Sequence, residues 1–206
     1  MAAATIVRVG SSKPKLQDLA NKIFQASKEE NLNLKVTWIA RDKNYDADLV
    51  SKTIDYDDWT VNDNVFHYLQ NIWGKFTIDL FADNKNTKCK KFSSRYWCPN
   101  TFMVDAFSFD WSNEHCFIAP PTYLIAKSIR HFLASEGKVT GVILIPHWPS
   151  ANFWPFLVGY DKKFKNFVKN FLYFENSENV IITGEYERSL LGNEKKVAFY
   201  ALLIEN

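Results

Sequence analysis

The feature that most constrains the fold is an alternation of apolar strands and one amphipathic helix between residues 116 and 145. Residues 116–119 and 142–145 are short, continuous apolar runs, which are typical of buried parallel strands. A helical apolar stripe lies between them, begins after two prolines and ends before Gly137; it consists of Ile125, Ile129, Phe132 and Leu133. A strand, a crossover helix and a second parallel strand form a βαβ unit, so the sequence predicts an α/β fold.

Further elements are predicted on both sides of this unit. Residues 77–81 form a strand candidate, and the helix before them has an apolar face that ends near Gly74. Downstream, residues 171–174, 180–183 and 196–204 are predicted strands, of which the last two should close the sheet in antiparallel fashion. The N-terminal part alternates as strand, helix, strand and helix, with the strands at residues 5–9 and 34–38 and the helices beginning at Pro14 and at Ala47.

The composition narrows the class of protein. The 206 residues are 47% hydrophobic and 16% aromatic, which is enough for the core of one large or two small domains. No apolar run approaches the roughly 20 residues that span a bilayer, and no secretory leader is visible, so we expect an intracellular protein, cytoplasmic or nuclear, without a membrane partner. Three cysteines and four histidines show no metal-ligand spacing, and no metal is expected.

Three blocks carry a resemblance to a known family. They are TIDLFADNKNTKCKKF from Thr77, VDAFSFDW from Val104 and CFIAPPTYL from Cys116. In this order they resemble the phage-type DNA adenine methyltransferases, whose pattern runs Asp-x-x-Ala, Asn-x-Lys-Cys, Asp-Trp and Asn-Pro-Pro-Tyr. The matching positions are Asp79, Ala82, Asn86, Lys88, Cys89, Asp110, Trp111, Pro120 and Pro121.

The resemblance implies a Rossmann-like methyltransferase sheet, S-adenosylmethionine as cofactor and DNA as partner. In this family the adenine leaves the duplex and enters a pocket, where side chains and backbone position its amino group. The catalytic segment would be Ala119, Pro120, Pro121, Thr122 and Tyr123. The cofactor site would contain Asp79, Ala82, Asp105 and Asp110, although both later aspartates could instead cap turns before Trp111.

Two positions depart from the family pattern. Ala119 stands where the family has Asn or Asp, which accepts a hydrogen bond from the adenine amino group, and Thr122 stands where an aromatic stacks on the base. Tyr123 could supply the ring if the turn were rotated by one residue. The alternative interpretation is a Pro-Pro cap that opens a helix and carries no chemistry.

The N-terminal part resembles a different family. Trp38, Ile39, Arg41, Asn44, Ala47 and Asp48 resemble the C-terminal part of a retroelement RNase H domain. In that family the last Asp helps to hold two magnesium ions, which requires several converging carboxylates. Only Asp48 is present, so it is a vestigial metal ligand at most and RNase H activity is not expected.

The order of the two resemblances implies the polyprotein of a tyrosine-recombinase retrotransposon of the DIRS class. The predicted domains are residues 1–54, an RNase H C-terminal remnant; residues 55–61, a connector; and residues 62–206, the methyltransferase-like domain. Partners would be DNA or an RNA:DNA hybrid, and the reverse transcriptase or recombinase of the same element.

A local cluster of cations suggests contact with nucleic acid, although the net charge of +2 alone does not. Lys88, Lys90, Lys91 and Arg95 surround aromatic residues, which would join phosphate contacts to a stacking surface; the alternative is a solvated loop over buried rings. The sequence therefore favours a nucleic-acid-associated, methyltransferase-like protein with weak or no activity. An active DNA adenine methyltransferase and a non-catalytic structural module are the alternatives.

Overall fold

The computed structural model describes residues 10–37, 40, 43, 59–183, 191 and 197–206. The chain divides into two compact units, Met1–Ile54 and Asp55–Asn206. Among the described residues, no helix is long and apolar enough to cross a membrane.

The described part of the first unit contains helix α1, Pro14–Glu29. Its proline lies in the first turn, where a missing N–H has no helical partner to lose. The helix predicted to begin at Pro14 is therefore confirmed. The strand predicted at residues 34–38 is wrong in its described part, because residues 32–37 have no regular secondary structure. The strand at residues 5–9, the helix from Ala47 and the RNase H-like residues Trp38, Ile39, Arg41, Asn44, Ala47 and Asp48 lie outside the described residues.

The second unit contains nine strands and three α-helices within the part of it that is described. In chain order these are β1 Trp59–Val61, α2 Asp63–Trp73, β2 Ile78–Asp79, β3 Ser93–Ser94, β4 Met103–Val104, β5 His115–Ile118, α3 Ile125–Ala134, β6 Thr140–Pro146, α4 Trp154–Leu157, β7 Val168–Phe174, β8 Ile181–Thr183 and β9 Phe199–Glu205. The helix predicted to end near Gly74 is confirmed as α2, whose last hydrogen bond runs from the Gly74 N–H to the Gln70 carbonyl.

The central sheet has five strands in the order β2-β5-β6-β9-β7. Strands β2, β5 and β6 run parallel, and β9 and β7 join them in antiparallel fashion. The predicted βαβ unit is confirmed, with α3 connecting β5 to β6. Two buried clusters cover the two faces of this mixed sheet, one around Trp111 and Phe132 and the other around Phe66 and Phe117.

One strand lies elsewhere than predicted. We expected residues 180–183 to close the main sheet, but β8 pairs with β1 in a separate two-stranded ladder, with Trp59 opposite Thr183. Trp59 and Thr183 lie far apart in the sequence. The local alternation of apolar and polar residues could therefore indicate a strand but not its pairing partner. The strand predicted at residues 196–204 does close the sheet, as β9.

Candidate functional site

A cavity of about 660 Å³ opens where β2 and β5 end. Parallel α/β sheets place ligands at the carboxyl ends of their strands, so this is the expected position for a binding site. Three walls contain most of the lining. The first is residues 80–85 after β2, the second consists of residues that follow β5, and the third is residues 105–107 after β4. Trp59 and residues 94–98 complete the cavity.

The first wall is held by a buried carboxylate. Asp79 is almost fully buried and accepts hydrogen bonds from the N–H groups of Lys88, at 3.0 Å, and of Phe81, at 3.4 Å. Burial raises the pKa of Asp79 to about 6, and the two backbone donors oppose that rise. Asp79 is not among the residues that line the cavity, whereas Ala82 is. Asp79 thus fixes the turn from beneath, and Ala82 presents the turn to the cavity.

The same turn is closed by reciprocal side-chain caps. The Asp83 carboxylate accepts from the N–H groups of Lys85 and Asn86, and the Asn86 amide oxygen accepts from the Asp83 N–H at 2.7 Å. Residues 78–92 contain no glycine. Asx hydrogen bonds therefore shape this turn in place of the glycines that shape many phosphate- and nucleotide-binding loops.

The second wall carries the Pro-Pro segment. Ala119 lines the cavity, is 7% exposed and offers no side-chain acceptor. Residues Thr122–Leu124 form a turn of 3-10 helix, which directs consecutive side chains differently. Thr122 is 8% exposed and does not line the cavity, whereas Tyr123 is 55% exposed and does. The aromatic ring available to a ligand is therefore one residue later than the family pattern places it.

The third wall depends on Asp105. This residue has a positive φ of 64°, and its carboxylate caps the Phe107 N–H at 3.0 Å while it lines the cavity. Beneath it, the fully buried Trp111 donates its indole N–H to the Ala106 carbonyl at 2.7 Å. Trp111 is thus an anchor for the wall on which Asp105 lies.

Asp110 occupies a different place from Asp105. Its carboxylate accepts from the N–H groups of Ser112, at 2.7 Å, and Glu136, at 3.0 Å, and it is not among the cavity residues. The Ser112 hydroxyl, followed by the Glu136 N–H, lowers the pKa of Asp110 below its ordinary value. The structure places Asp110 as a cap that ties the start of β5 to the end of α3.

The basic residues separate into those that lie outside the cavity and those that line it. Lys88 forms an ion pair with Asp63, and Lys91 forms one with Glu114 while lying 4.1 Å from the centre of the Phe102 ring. Lys90 is exposed outside the cavity. Arg95 lines the cavity beside Tyr96 and Trp97. Lys85 and Lys127 line it as well. Of the four cations proposed for nucleic acid, only Arg95 lies at the cavity.

Sequence reasoning missed several cavity residues, among them Lys127 and Trp59. Lys127 lies on α3 with its ammonium 3.8 Å from the centre of the Phe107 ring. Trp59 lies on β1, far from the recognised blocks in the chain. Helical spacing places Lys127 one turn after Tyr123 and could have found it, but no local signal connects Trp59 to the cavity. Among the residues described, no group of three metal-ligating side chains is present. Asp48, the vestigial metal ligand of the sequence analysis, lies outside the described residues.

Comparison with known proteins decides the family. The family model described as DNA N-6-adenine-methyltransferase (Dam) matches residues 50–198, well over half of the chain. The chain belongs to this family. Its members, as the name states, methylate adenine at N6 in DNA, so S-adenosylmethionine and DNA are the cofactor and substrate that the family suggests.

The chain is also similar to a protein of Escherichia coli (strain K12) named "Putative methyltransferase YfdM". The two are 34% identical over 58 residues, which is 28% of this chain and 56% of that protein. The chain thus spans about half the length of this curated relative. Neither comparison extends the similarity to an RNase H domain or to a retrotransposon protein.

Proposed function

We propose that the second unit binds S-adenosylmethionine and an adenine taken out of DNA in one cavity, and that it transfers the methyl group slowly. The observation that carries this proposal is the meeting of two sequence blocks in that cavity: residues 80–85 line the same space as Ala119, Pro121, Tyr123 and Leu124. The first block corresponds to the cofactor turn of the family and the second to its base-binding segment.

The donors and acceptors of the cavity suit this cofactor. Asp105 presents a carboxylate, which matches the two hydroxyl donors of a ribose, and Phe81 and Phe107 offer apolar faces for a purine. A volume of about 660 Å³ lies within the usual range for small-molecule sites. The cofactor, when bound, would supply an electrophilic methyl group on a sulfonium sulfur.

The chain's own residues would orient the adenine amino group incompletely. Pro121 lines the cavity, and its carbonyl accepts from the Leu124 N–H at 2.8 Å. We assign the acceptor role to the Pro120 carbonyl because the family resemblance implies it; Pro120 is not among the residues that line the cavity. Ala119 adds no second acceptor. A missing preorganised contact of this kind commonly costs a hundredfold or more in rate, which is the physical reason for slow transfer. Tyr123 would stack on the base, and Lys85, Arg95 and Lys127 lie where DNA phosphates would approach.

The test compares two substitutions that share a branched side chain of similar shape. Ala119→Asn introduces the acceptor, whereas Ala119→Leu adds similar volume without one. Tritium transfer from labelled cofactor to adenine-containing DNA should be weak in the wild type, rise at least tenfold in Ala119→Asn and stay weak in Ala119→Leu. Calorimetry with S-adenosylhomocysteine should show that all three proteins bind the cofactor product. Rapid wild-type transfer would disprove slow catalysis, and no binding at millimolar ligand would favour the non-catalytic structural module.

The retroelement context is a separate part of the proposal. It rests on the similarity of residues 38–48 to an RNase H tail and on their position before the methyltransferase-like domain. With Asp48 as the single family carboxylate, we expect no cleavage of RNA in an RNA:DNA hybrid with magnesium or manganese. Cleavage that vanished in Asp48→Asn would contradict this expectation.

A further inference from the structure

The edge strand β7 presents two aromatic rings to solvent, away from the cavity. Phe171 is 49% exposed and Tyr173 is 45% exposed, and neither lines the cavity. They are two residues apart on one strand, so their side chains lie on the same face of the sheet, about 6.6 Å apart along it. Among the described strands, β7 pairs only with β9. The edge of the sheet thus carries a pair of rings that no described strand covers.

Aromatic neighbours hold both rings in place. The centre of the Tyr173 ring lies 4.9 Å from that of Tyr200, its partner across the β7–β9 ladder, and 5.6 Å from that of His147. The centre of the Phe171 ring lies 5.1 Å from that of Phe164 and 5.9 Å from that of Tyr200. Phe164 and Tyr200 in turn pack against one of the two buried clusters of the sheet. Because the rings are already fixed on one side, a ligand that stacks on them loses little entropy in ordering them.

The segment that leads into β7 is strongly basic. Residues 160–169 contain four lysines and one aspartate, whereas the whole chain has a net charge of only +2. Three of the lysines are exposed and form no ion pair with another described residue: Lys162, Lys163 and Lys165. Glu205, at the end of the neighbouring strand β9, forms its ion pair with Lys138 instead. The positive charge beside β7 is therefore available to an anionic partner.

Protection of the sheet edge explains only part of this arrangement. Lysines on edge strands discourage pairing with other chains, which accounts for Lys169 within β7. It does not account for the lysines that precede the strand. Nor does it account for Phe171 and Tyr173, because exposed apolar rings on an edge strand favour the association that lysines discourage. Rings and cations together indicate a binding surface.

We propose that the β7 face, which consists of Phe171, Tyr173 and the lysines of residues 160–169, binds single-stranded DNA. Unpaired bases stack on the two rings, and the phosphates between them meet the lysines. A duplex does not suit this face, because its bases are paired inside and lie about 3.4 Å apart along each strand, whereas the rings are about 6.6 Å apart. DNA is the polymer on which the family acts. The face contains no cavity residue, so the inference goes beyond the proposed function and does not depend on it.

Fluorescence anisotropy with a labelled oligonucleotide of about 12 thymidines tests the rings; this length is within the usual site sizes of single-strand binders, and the strand offers the cavity no adenine. Phe171→Leu and Tyr173→Leu keep apolar side chains and remove the stacking faces. We expect each to weaken binding about tenfold. Tyr160→Leu is the control, since Tyr160 is fully exposed in the same segment and has no ring contact among the described residues, and it should leave the affinity unchanged. No wild-type binding, or unchanged affinity in both ring variants, would overturn the inference.

Salt dependence tests the lysines. The double variant Lys163→Gln, Lys165→Gln should reduce the slope of log K against log salt by about 1.4, because each phosphate contact on a single strand contributes about 0.7. Lys138→Gln, which removes a cation already paired with Glu205, should keep the wild-type slope. A slope that the double variant leaves unchanged would remove the lysines from the surface and contradict the proposal.

A third measurement uses only the wild-type protein and does not depend on the folding of any variant. Irradiation with an oligonucleotide that carries 5-iododeoxyuridine in place of thymidine should give crosslinks that mass spectrometry maps to Phe171 or Tyr173. Crosslinks confined to cavity residues such as Tyr123 would place the strand in the cavity and overturn the inference. A dimer that excludes the oligonucleotide in analytical ultracentrifugation would assign the β7 face to a second copy of the chain instead.

Discussion

At the scale of single residues, the geometry of the 3-10 turn reassigns the aromatic of the site. Tyr123 faces the cavity, and Thr122 is buried beside it. We expect Tyr123→Ala to weaken binding of single-stranded, adenine-containing DNA by about 1–3 kcal/mol, because a stacking face is lost. Fluorescence anisotropy would measure this effect, with Tyr160→Ala as the control, since that tyrosine is fully exposed outside the cavity.

An aromatic residue introduced at Thr122 should lower stability rather than strengthen DNA binding. Thr122→Tyr would place a larger ring where the side chain is 8% exposed, and overpacking of this kind typically costs about 1–3 kcal/mol. We expect a lower melting temperature and no gain in DNA binding. Tighter DNA binding by Thr122→Tyr would show that the turn can rotate by one residue.

The raised pKa of Asp79 predicts how the free energy of unfolding changes with pH, including the sign of the change. Its pKa in the folded state is about 6, above the ordinary value of 3.8, because burial penalises the charged form. The folded state therefore holds more protons than the unfolded state between these values, and the free energy of unfolding falls as pH rises through that window. The fall is at most about 3 kcal/mol for a shift of this size.

Asp79→Asn should remove this component. Urea unfolding at several pH values from 4 to 7 would give a shallower fall for Asp79→Asn than for the wild type, whatever its absolute stability. Asp161→Asn, at an exposed loop carboxylate, should keep the wild-type slope. Identical slopes for wild type and Asp79→Asn would mean that Asp79 is not the titrating group.

At the scale of elements, apolar runs were sufficient to predict strands β2, β5 and β6 and helix α3, because a buried parallel strand and an amphipathic helix each leave a local pattern. The partner of β8 was not predictable, since β1 lies far away in the sequence and a three-residue strand encodes no register. The direction of Thr122 and Tyr123 was unpredictable for a related reason. It depends on the 3-10 turn, which the Pro-Pro motif permits but does not require.

The Asp-Trp motif acts at this scale as a support for the cavity wall. Trp111→Phe would leave the Ala106 carbonyl without its indole donor and reduce the buried volume of the core. We expect a loss of about 2–4 kcal/mol in unfolding free energy and weaker binding of S-adenosylhomocysteine, because residues 105–107 lose their anchor. Trp148→Phe, at a half-buried core-edge position, should cost less and leave affinity unchanged; equal costs would argue against a specific anchor.

At the scale of the whole molecule, the residues of the proposed site come from one unit. The family match begins at residue 50, the compact unit begins at Asp55, and the first cavity residue is Trp59. We therefore expect residues 55–206, produced alone, to fold and to bind S-adenosylhomocysteine within threefold of the full chain. The boundary matters, because removal of β1 would also remove the antiparallel partner of β8 and the indole on one flank of the cavity.

The comparison of two truncations tests this unit directly. A fragment of residues 55–206 should show one cooperative thermal transition in calorimetry, whereas a fragment of residues 62–206 should melt at a lower temperature. The shorter fragment exposes the Phe199 ring that Trp59 covers and leaves the backbone groups of β8 without their ladder. If both fragments melted alike and bound the ligand equally, neither β1 nor Trp59 would belong to the functional unit. The predicted connector at residues 55–61 would then be a linker, as the sequence indicates.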